Sequence, residues 1–244
     1  MIAAAIVGFK KSGKTTLAVE LGRELARRGV AAAAAKCSHH DTVDKADTDT
    51  DRLLKAYGRA SVLTPAQAGV YWDKKRYLPD LLPLLDADVL IVEGGKSLGW
   101  LPRVLLLREP SEAAELSPEL AMCSYGKVPA PDMLHLDNVS DLADLILERG
   151  FALPGLDCGD CGRESCKALA EQIVVGGATA DMCRSGGAQA LAKVNGMPVA
   201  MNHYMRRIFT SSVMGMLKEF KGYAPGGEID IHIRIIPPGN KAGG

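Results

Sequence analysis

Residues 2–16 read IAAAIVGFKKSGKTT, and this stretch decides the fold. Residues 2–9 are continuous and apolar, the pattern of a strand buried on both faces. Gly8-Phe9-Lys10-Lys11-Ser12-Gly13-Lys14-Thr15 then fits G-x-x-x-x-G-K-T with no deviation. The glycines let backbone N–H groups wrap phosphates, Lys14 carries charge to the β- and γ-phosphates, and Thr15 offers a hydroxyl to Mg²⁺. Lys11, Ser12, Gly13 and Thr16 complete the candidate nucleotide contacts with Gly8, Lys14 and Thr15. Leu17, Leu21 and Leu25 follow at intervals of four, which predicts a helix over residues 14–28 that Gly29 stops. Strand, phosphate turn and helix in that order predict a P-loop nucleotide-binding domain.

Working outward, residues 30–36 form a second apolar strand. It delivers Cys37-Ser38-His39-His40-Asp41, followed by Asp44, Asp47, Asp49 and Asp51. This loop has two readings. It positions Mg²⁺ or a hydrolytic water, with Asp41 and Asp49 joining Lys14 as catalytic candidates, or it is a solvated acidic loop that caps a helix at 52–57. The run Asp88-Val-Leu-Ile-Val-Glu93-Gly94-Gly95 reads as a strand that carries a carboxylate to the Mg²⁺. Asp88 or Glu93 can serve, and Glu93 lies nearer the end of the strand where such sheets bind ligands. Short strands are expected at 61–64, 70–71, 104–107 and 121–123, and helices at 81–85 and 140–149. The alternation predicts an α/β fold with a mostly parallel sheet and helices on both faces. Composition shifts near Phe151, which divides a nucleotide-binding domain, 1–150, from a small α+β domain, 151–244.

The second region carries Cys158, Cys161, Cys166 and Cys183, spaced C-x2-C-x4-C-x16-C. Four thiolates suit Zn²⁺ or an iron–sulfur cluster. Zinc ribbons show two C-x2-C pairs and this chain has one, so the uneven spacing favours a [4Fe–4S] cluster over zinc, with reduced structural thiols third. Cys37 and Cys123 are unassigned, a lone cysteine usually being a small core residue; His135 and His203 read as core or surface histidines, and Met205, Met214 and Met216 as packing on a helix over 203–220. Residues 228–235 alternate strictly and predict a one-sided strand. The tail from Pro237 reads as disordered.

The 244 residues carry 29 basic and 29 acidic side chains, a formal net charge of zero. That argues against general affinity for nucleic acid or anionic membrane. No run of about 18 apolar residues predicts a membrane helix, and no segment reads as a signal peptide. The chain therefore reads as cytoplasmic, where cysteines serve metal or redox chemistry more than disulfides.

Gly8 to Thr16, His39-His40-Asp41, Asp49 with Arg52, and Val92-Glu93-Gly94 together resemble the molybdopterin-guanine dinucleotide biosynthesis adaptor (MobB-like) family. Leu134 to Asp137 and Asp141 to Ile146 are similar to that family's C-terminal end, so the resemblance covers roughly residues 1–148. It implies a GTP-binding, weakly hydrolysing homodimer that assists attachment of GMP to molybdopterin or delivers the cofactor to a client enzyme. GTP over ATP rests on this resemblance, since no guanine-reading Asp stands near Cys123-Ser124-Tyr125. Arg52 is the candidate for an arginine finger. Asp157 to Cys183 resembles the four-cysteine [4Fe–4S] module of corrinoid iron–sulfur proteins and electron-transfer subunits. The usual adaptor lacks this module. A nucleotide-driven maturation factor or electron donor is therefore an alternative, as is a binding module with structural zinc.

Overall fold

The computed structural model describes residues 1–38, 42, 47–185, 193–194, 197–198 and 203–221. The nucleotide-binding region is built as β1 (Ile2–Gly8), α1 (Lys14–Arg27), β2 (Ala32–Lys36), α2 (Asp49–Tyr57), β3 (Arg59–Leu63), β4 (Ala68–Trp72), α3 (Leu78–Leu81), β5 (Val89–Glu93), β6 (Arg103–Leu106), β7 (Ala121–Tyr125), β8 (His135–Leu136) and α4 (Val139–Arg149). Beyond it come α5 (Cys166–Val174), β9 (Lys193–Val194), β10 (Met197–Pro198) and α6 (His203–Leu217). The strand expected at 228–235 and the tail from 237 lie outside the described residues.

Six strands form one sheet in the order β2-β5-β1-β6-β7-β8, and every neighbouring pair is parallel. β1 is central, so it is apolar throughout, and Ala3, Ala4 and Ala5 are fully buried. Alternate residues serve opposite faces. Ala4 and Ile6 meet Leu17, Leu21 and Leu25 of α1 and Leu142, Ala143 and Ile146 of α4. Ala3, Ala5 and Val7 face Leu101, Leu116 and the partly buried Leu78 and Leu82. Two long helices thus cover one face, while short helical turns, α3 and the 3₁₀ segments Leu82–Leu84 and Pro110–Leu116, cover the other. The helix expected at 81–85 is split between α3 and a 3₁₀ turn because Pro83 lacks the N–H a continuous helix needs.

Arg28 ties the two long helices together. It bonds Glu24 on its own helix and Asp144 and Ser140 on α4. Hydrogen bonds from Arg27 and Arg28 hold the Glu24 carboxyl at about 2, below its ordinary 4.5.

α2 begins at Asp49, earlier than the expected 52, because the Thr48 hydroxyl accepts the Asp51 N–H and caps it. β3 and β4 pair antiparallel as a separate hairpin. No residue of α2, β3 or β4 is buried. β8, β9 and β10, two residues each, are too short to leave a periodic signature. Among the described residues no helix is long and apolar enough to cross a membrane.

A third core joins the cysteine segment to the sheet. Cys166, Leu169, Ala170, Val174 and Cys183 pack with Leu120, Phe151 and Leu153, and Trp100 lies against them. Arg149 of α4 donates to the Val174 carbonyl at 2.5 Å.

Two outcomes follow for stability. Leu142→Ala, at a fully buried position, should lower unfolding free energy by about 2–5 kcal/mol, measured by urea titration. Because Glu24 titrates lower folded than unfolded, its stabilisation is complete above pH 4.5 and lost as the pH falls through about 2. Thermal melts between pH 5 and pH 2 should therefore fall less steeply in Glu24→Gln than in the parent, and parallel curves would refute the assignment.

Candidate functional site

The turn after β1 is set by close backbone approach. A Cβ on Gly8 would collide with the Leu106 carbonyl oxygen and stand 2.6 Å from Ser12 Oγ, so only glycine fits. Lys11 and Gly13 take left-handed φ values of 65° and 94°, which turns successive backbone N–H groups inward as an anion-binding nest. Ser12 Oγ is buried with no hydrogen-bond partner among the described residues. Lys14 Nζ donates to the Phe9 carbonyl at 2.6 Å. Together with Lys10, Thr16 and Glu93, the loop lines a cleft of about 380 Å³.

Glu93 is the last residue of β5, and Thr15 Oγ1 donates to its Oε1 at 2.9 Å. Lys36 Nζ stands 3.4 Å from the same oxygen. Asp88 sits at the other end of β5, where its N–H donates to the Ala31 carbonyl. Of the two acids that the strand carries, only Glu93 meets the loop. Burial lowers the Lys14 pKa; Glu93 opposes that shift, and Lys96, Lys36 and Arg108 add to it. One acid thus stands among several cations, a field that favours a polyanion. A hydroxyl and a carboxylate in contact supply the hard oxygen donors that suit Mg²⁺.

Three contributors escaped the sequence reading. The Lys96 ammonium lies 3.7 Å from the Phe9 ring centroid and the Arg108 guanidinium 5.5 Å from it, both favourable cation–π contacts. Arg108 is steadied by Glu112, with Nε to Oε1 at 2.7 Å. Arg103 is 2% exposed. It donates to the Lys96 and Leu116 carbonyls, each at 2.6 Å, while its Nε has no partner among the described residues. Burial lowers its pKa. Lys96 follows Glu93-Gly94-Gly95 directly, which is the one signal that marks it in sequence.

The acidic loop is only partly described. His39, His40, Asp41 and Asp44 lie outside the described residues. Asp49 is in the first turn of α2 with its side chain 98% exposed, 3.7 Å from Arg52, and it does not line the cleft. Asp51 accepts from the Asp47 N–H and from Lys55, the helix-capping arrangement. Cys37 is exposed rather than a core residue, because it lies past the end of β2, where its N–H donates to the Glu93 carbonyl at 2.9 Å. Met205 and Met216 are also exposed.

Cys123 is fully buried, and burial pushes its thiol up to about 12. It is a core residue. His135 Nδ1 lies 3.0 Å from the buried Ser124 hydroxyl.

The four remaining cysteines form no disulfide. Cys166 and Cys183 are buried, Cys158 and Cys161 half-buried. Ser165 caps α5, its hydroxyl accepting the Ala168 N–H at 3.1 Å, and Cys166 is the first helical residue. Asp157 and Cys166 bond reciprocally: Asp157 Oδ1 accepts the Cys166 N–H at 2.6 Å, and the Asp157 N–H donates to Cys166 Sγ at 3.4 Å. Ser185 Oγ lies 3.1 Å from Cys158 Sγ. Burial raises the Cys166 pKa. Asp157, Gly159 and Gly162 all have positive φ, which curls the chain around the first two sulfurs. Among the described residues no three His, Cys, Asp or Glu are grouped to hold a single metal ion. The segment thus carries four free thiols, one of them receiving a backbone N–H, a donor type that suits zinc or an iron–sulfur cluster.

Residues 3–124, half of the chain, match the family model described as "Molybdopterin guanine dinucleotide synthesis protein B" (MobB). The chain belongs to the MobB family. Residues 153–185 match a second family model, "Putative Fe-S cluster". A Methanocaldococcus jannaschii protein named "Putative molybdopterin-guanine dinucleotide biosynthesis adapter protein" is 26% identical over 230 residues, 89% of this chain and 91% of that one. Its likeness therefore runs well past the MobB match. One subunit of the Na(+)-translocating ferredoxin:NAD(+) oxidoreductase complex of Acetobacterium woodii is 35% identical over 96 residues, 38% of this chain and 28% of that one. The crystal structure of Bacillus subtilis MobB superposes with a TM-score of 0.51 at 22% identity, over 62% of this chain and 99% of that one, and shares its fold. The MobB fold is thus joined to a cysteine module.

The packing sets an order of thiol reactivity. In native protein without a cluster, at pH 8, iodoacetamide should modify Cys158 and Cys161 at least about tenfold faster than Cys123. Peptide mass spectrometry reads this, and equal rates would contradict the described burial.

Proposed function

We propose that this MobB-family protein is a nucleotide-binding adapter in molybdopterin guanine dinucleotide biosynthesis, with GTP and Mg²⁺ in the cleft and a [4Fe–4S] cluster on Cys158, Cys161, Cys166 and Cys183. The observation that carries the nucleotide half is the 2.9 Å contact between Thr15 and Glu93 at the mouth of the phosphate loop, which assembles the metal's oxygens before the metal arrives. Lys14 supplies charge to the β- and γ-phosphates, and Gly8, Lys11, Ser12, Gly13 and Thr16 shape the loop. Hydrolysis is slow in this reading. Asp49 is solvent-facing and outside the cleft lining, so it does not hold an attacking water in this arrangement, and Asp41 remains the other candidate. The partners are molybdopterin or its nucleotide, and a cofactor-synthesis or client enzyme in the cytoplasm.

A homodimer fits the α2–β3–β4 lobe, in which no residue is fully buried within the chain. A lone two-stranded hairpin is marginally stable in water, and a second copy would cover it. Within the chain, residues 1–150 carry the nucleotide and 151–244 the cluster.

A second reading, a nucleotide-driven maturation factor or electron donor, is favoured by one observation. The cysteine module packs against Trp100, on the loop that leaves Glu93.

Lys14→Ala should lower GTP affinity by more than about tenfold, since it removes the loop's ammonium, and leave iron content intact. Cys161→Ser should abolish the broad absorption near 400 nm and leave GTP affinity intact. Anaerobic purification, metal analysis and calorimetry test both. One zinc per chain without iron would favour the structural-zinc module, and GTP binding undiminished in Lys14→Ala would sink the nucleotide assignment.

A further inference from the structure

We propose that Gly94–Arg103 is a coupling element between the nucleotide cleft and the cysteine module, with Trp100 as its contact and Arg103 as its positioning residue. Each site then alters the other's affinity. This rests on the reading that the cleft takes a nucleotide and the four cysteines a cluster.

The element starts at Glu93, whose carboxylate accepts the Thr15 hydroxyl. Gly94 and Gly95 follow with φ of 86° and 74°, and the Gly94 N–H is anchored to the Ile6 carbonyl. Lys96 then lies over the Phe9 ring. At the far end, a Cβ on Gly99 would stand 3.1 Å from Lys167 Cβ, and Trp100 Nε1 lies 2.7 Å from where a Cβ on Gly155 would sit. The Trp100 carbonyl accepts the Leu153 N–H at 3.2 Å. Lys167 follows Cys166, and Gly155 lies just before Asp157, whose carboxylate and N–H both bond Cys166. Trp100 packs against both the sheet core and the cysteine core.

Arg103 makes the connection stiff. Its two terminal nitrogens grip the carbonyls of Lys96, beside the cleft, and of Leu116, in the sheet core. Leu116 leads to Glu119, which pairs with Lys167 at 2.7 Å. The described contacts thus give two routes to Lys167, through Gly99 and through Glu119. The buried Arg103 Nε has no partner among the described residues, which disfavours this arrangement.

The cleft meets the element at Thr15 and Glu93. A metal–nucleotide complex would bind Thr15 through an oxygen lone pair, leave its O–H donating to Glu93, and so draw the Thr15–Glu93 pair towards the phosphates. Adjacent Gly94 and Gly95 can absorb rotation, but Lys96 is clamped, so displacement passes to Arg103 and Trp100. Linkage makes the effect reciprocal.

The test compares full-length protein, anaerobically prepared with and without its cluster as verified by iron content, for GTP affinity by calorimetry with Mg²⁺. The Kd should differ between the forms by about fivefold or more. Arg103→Lys keeps the charge but cannot hold two carbonyls at once; it should bring the two Kd values together while still binding GTP and iron. Trp100→Phe, which keeps an aromatic ring, should retain part of the difference. If Arg103→Lys fails to fold, parent protein still decides: iron release to a chelator should change rate when GTP and Mg²⁺ are added. Equal Kd values and equal release rates, with both ligands bound, overturn the coupling and leave the proposed function intact. Absence of GTP binding or of iron overturns both.

Discussion

Everything at the nucleotide end depends on one close approach, between the Cα of Gly8 and the carbonyl oxygen of Leu106. Where any other residue would place its Cβ, the β6 backbone already stands. This contact lets the chain turn sharply off the central strand, with Ser12 beneath it and α1 starting at once. The helix N-terminus and the loop amides then face the same space as the ends of β2, β5 and β6. Thr15 reaches Glu93 because the turn is this tight.

A parallel sheet concentrates the consequence. All its strands end on the same edge, so loops distant in sequence converge there. β2 contributes Lys36, β5 contributes Glu93 and Lys96, and the segment after β6 contributes Arg108. Phe9 serves as the platform for Lys96 and Arg108. Phe9, at a position the phosphate-loop motif leaves open, thereby organises charge around the cleft.

The cysteine module is not a bead on a string. Phe151 and Leu153 share a core with Leu120, Leu169 and the buried Cys166 and Cys183. The ion pair from Lys167 to Glu119 crosses the same seam. Composition changes at Phe151, but apolar packing is continuous across it, so folding of the module and of the sheet flank reinforce each other. The buried guanidinium of Arg103 stands beside this seam. A charge without a carboxylate in contact is costly there, and its two carbonyl bonds offset only part of the cost.

What the sequence by itself determined is whatever a local pattern can encode. Gly8 to Thr15 dictates strand, loop and helix; the spacing of Leu17, Leu21 and Leu25 dictates which side of α1 is buried; four cysteines dictate a thiolate chemistry. Short elements were not legible, because a two-residue strand such as β8 has no period, and the proline at 83 broke a helix that apolar content alone suggested. Cys37 stays unassigned until the fold places it beyond the end of a strand. The sequence already favours Glu93 over Asp88; the tertiary structure adds that the two lie at opposite ends of β5 and that only Glu93 meets the phosphate loop. Only the tertiary structure revealed Lys96, Arg103 and Arg108, whose roles come from long-range proximity that no spacing along the chain records. The physical reason is the same throughout: hydrophobic periodicity and turn chemistry act between near neighbours, whereas a site is assembled by strand order, which is settled when the whole core is packed.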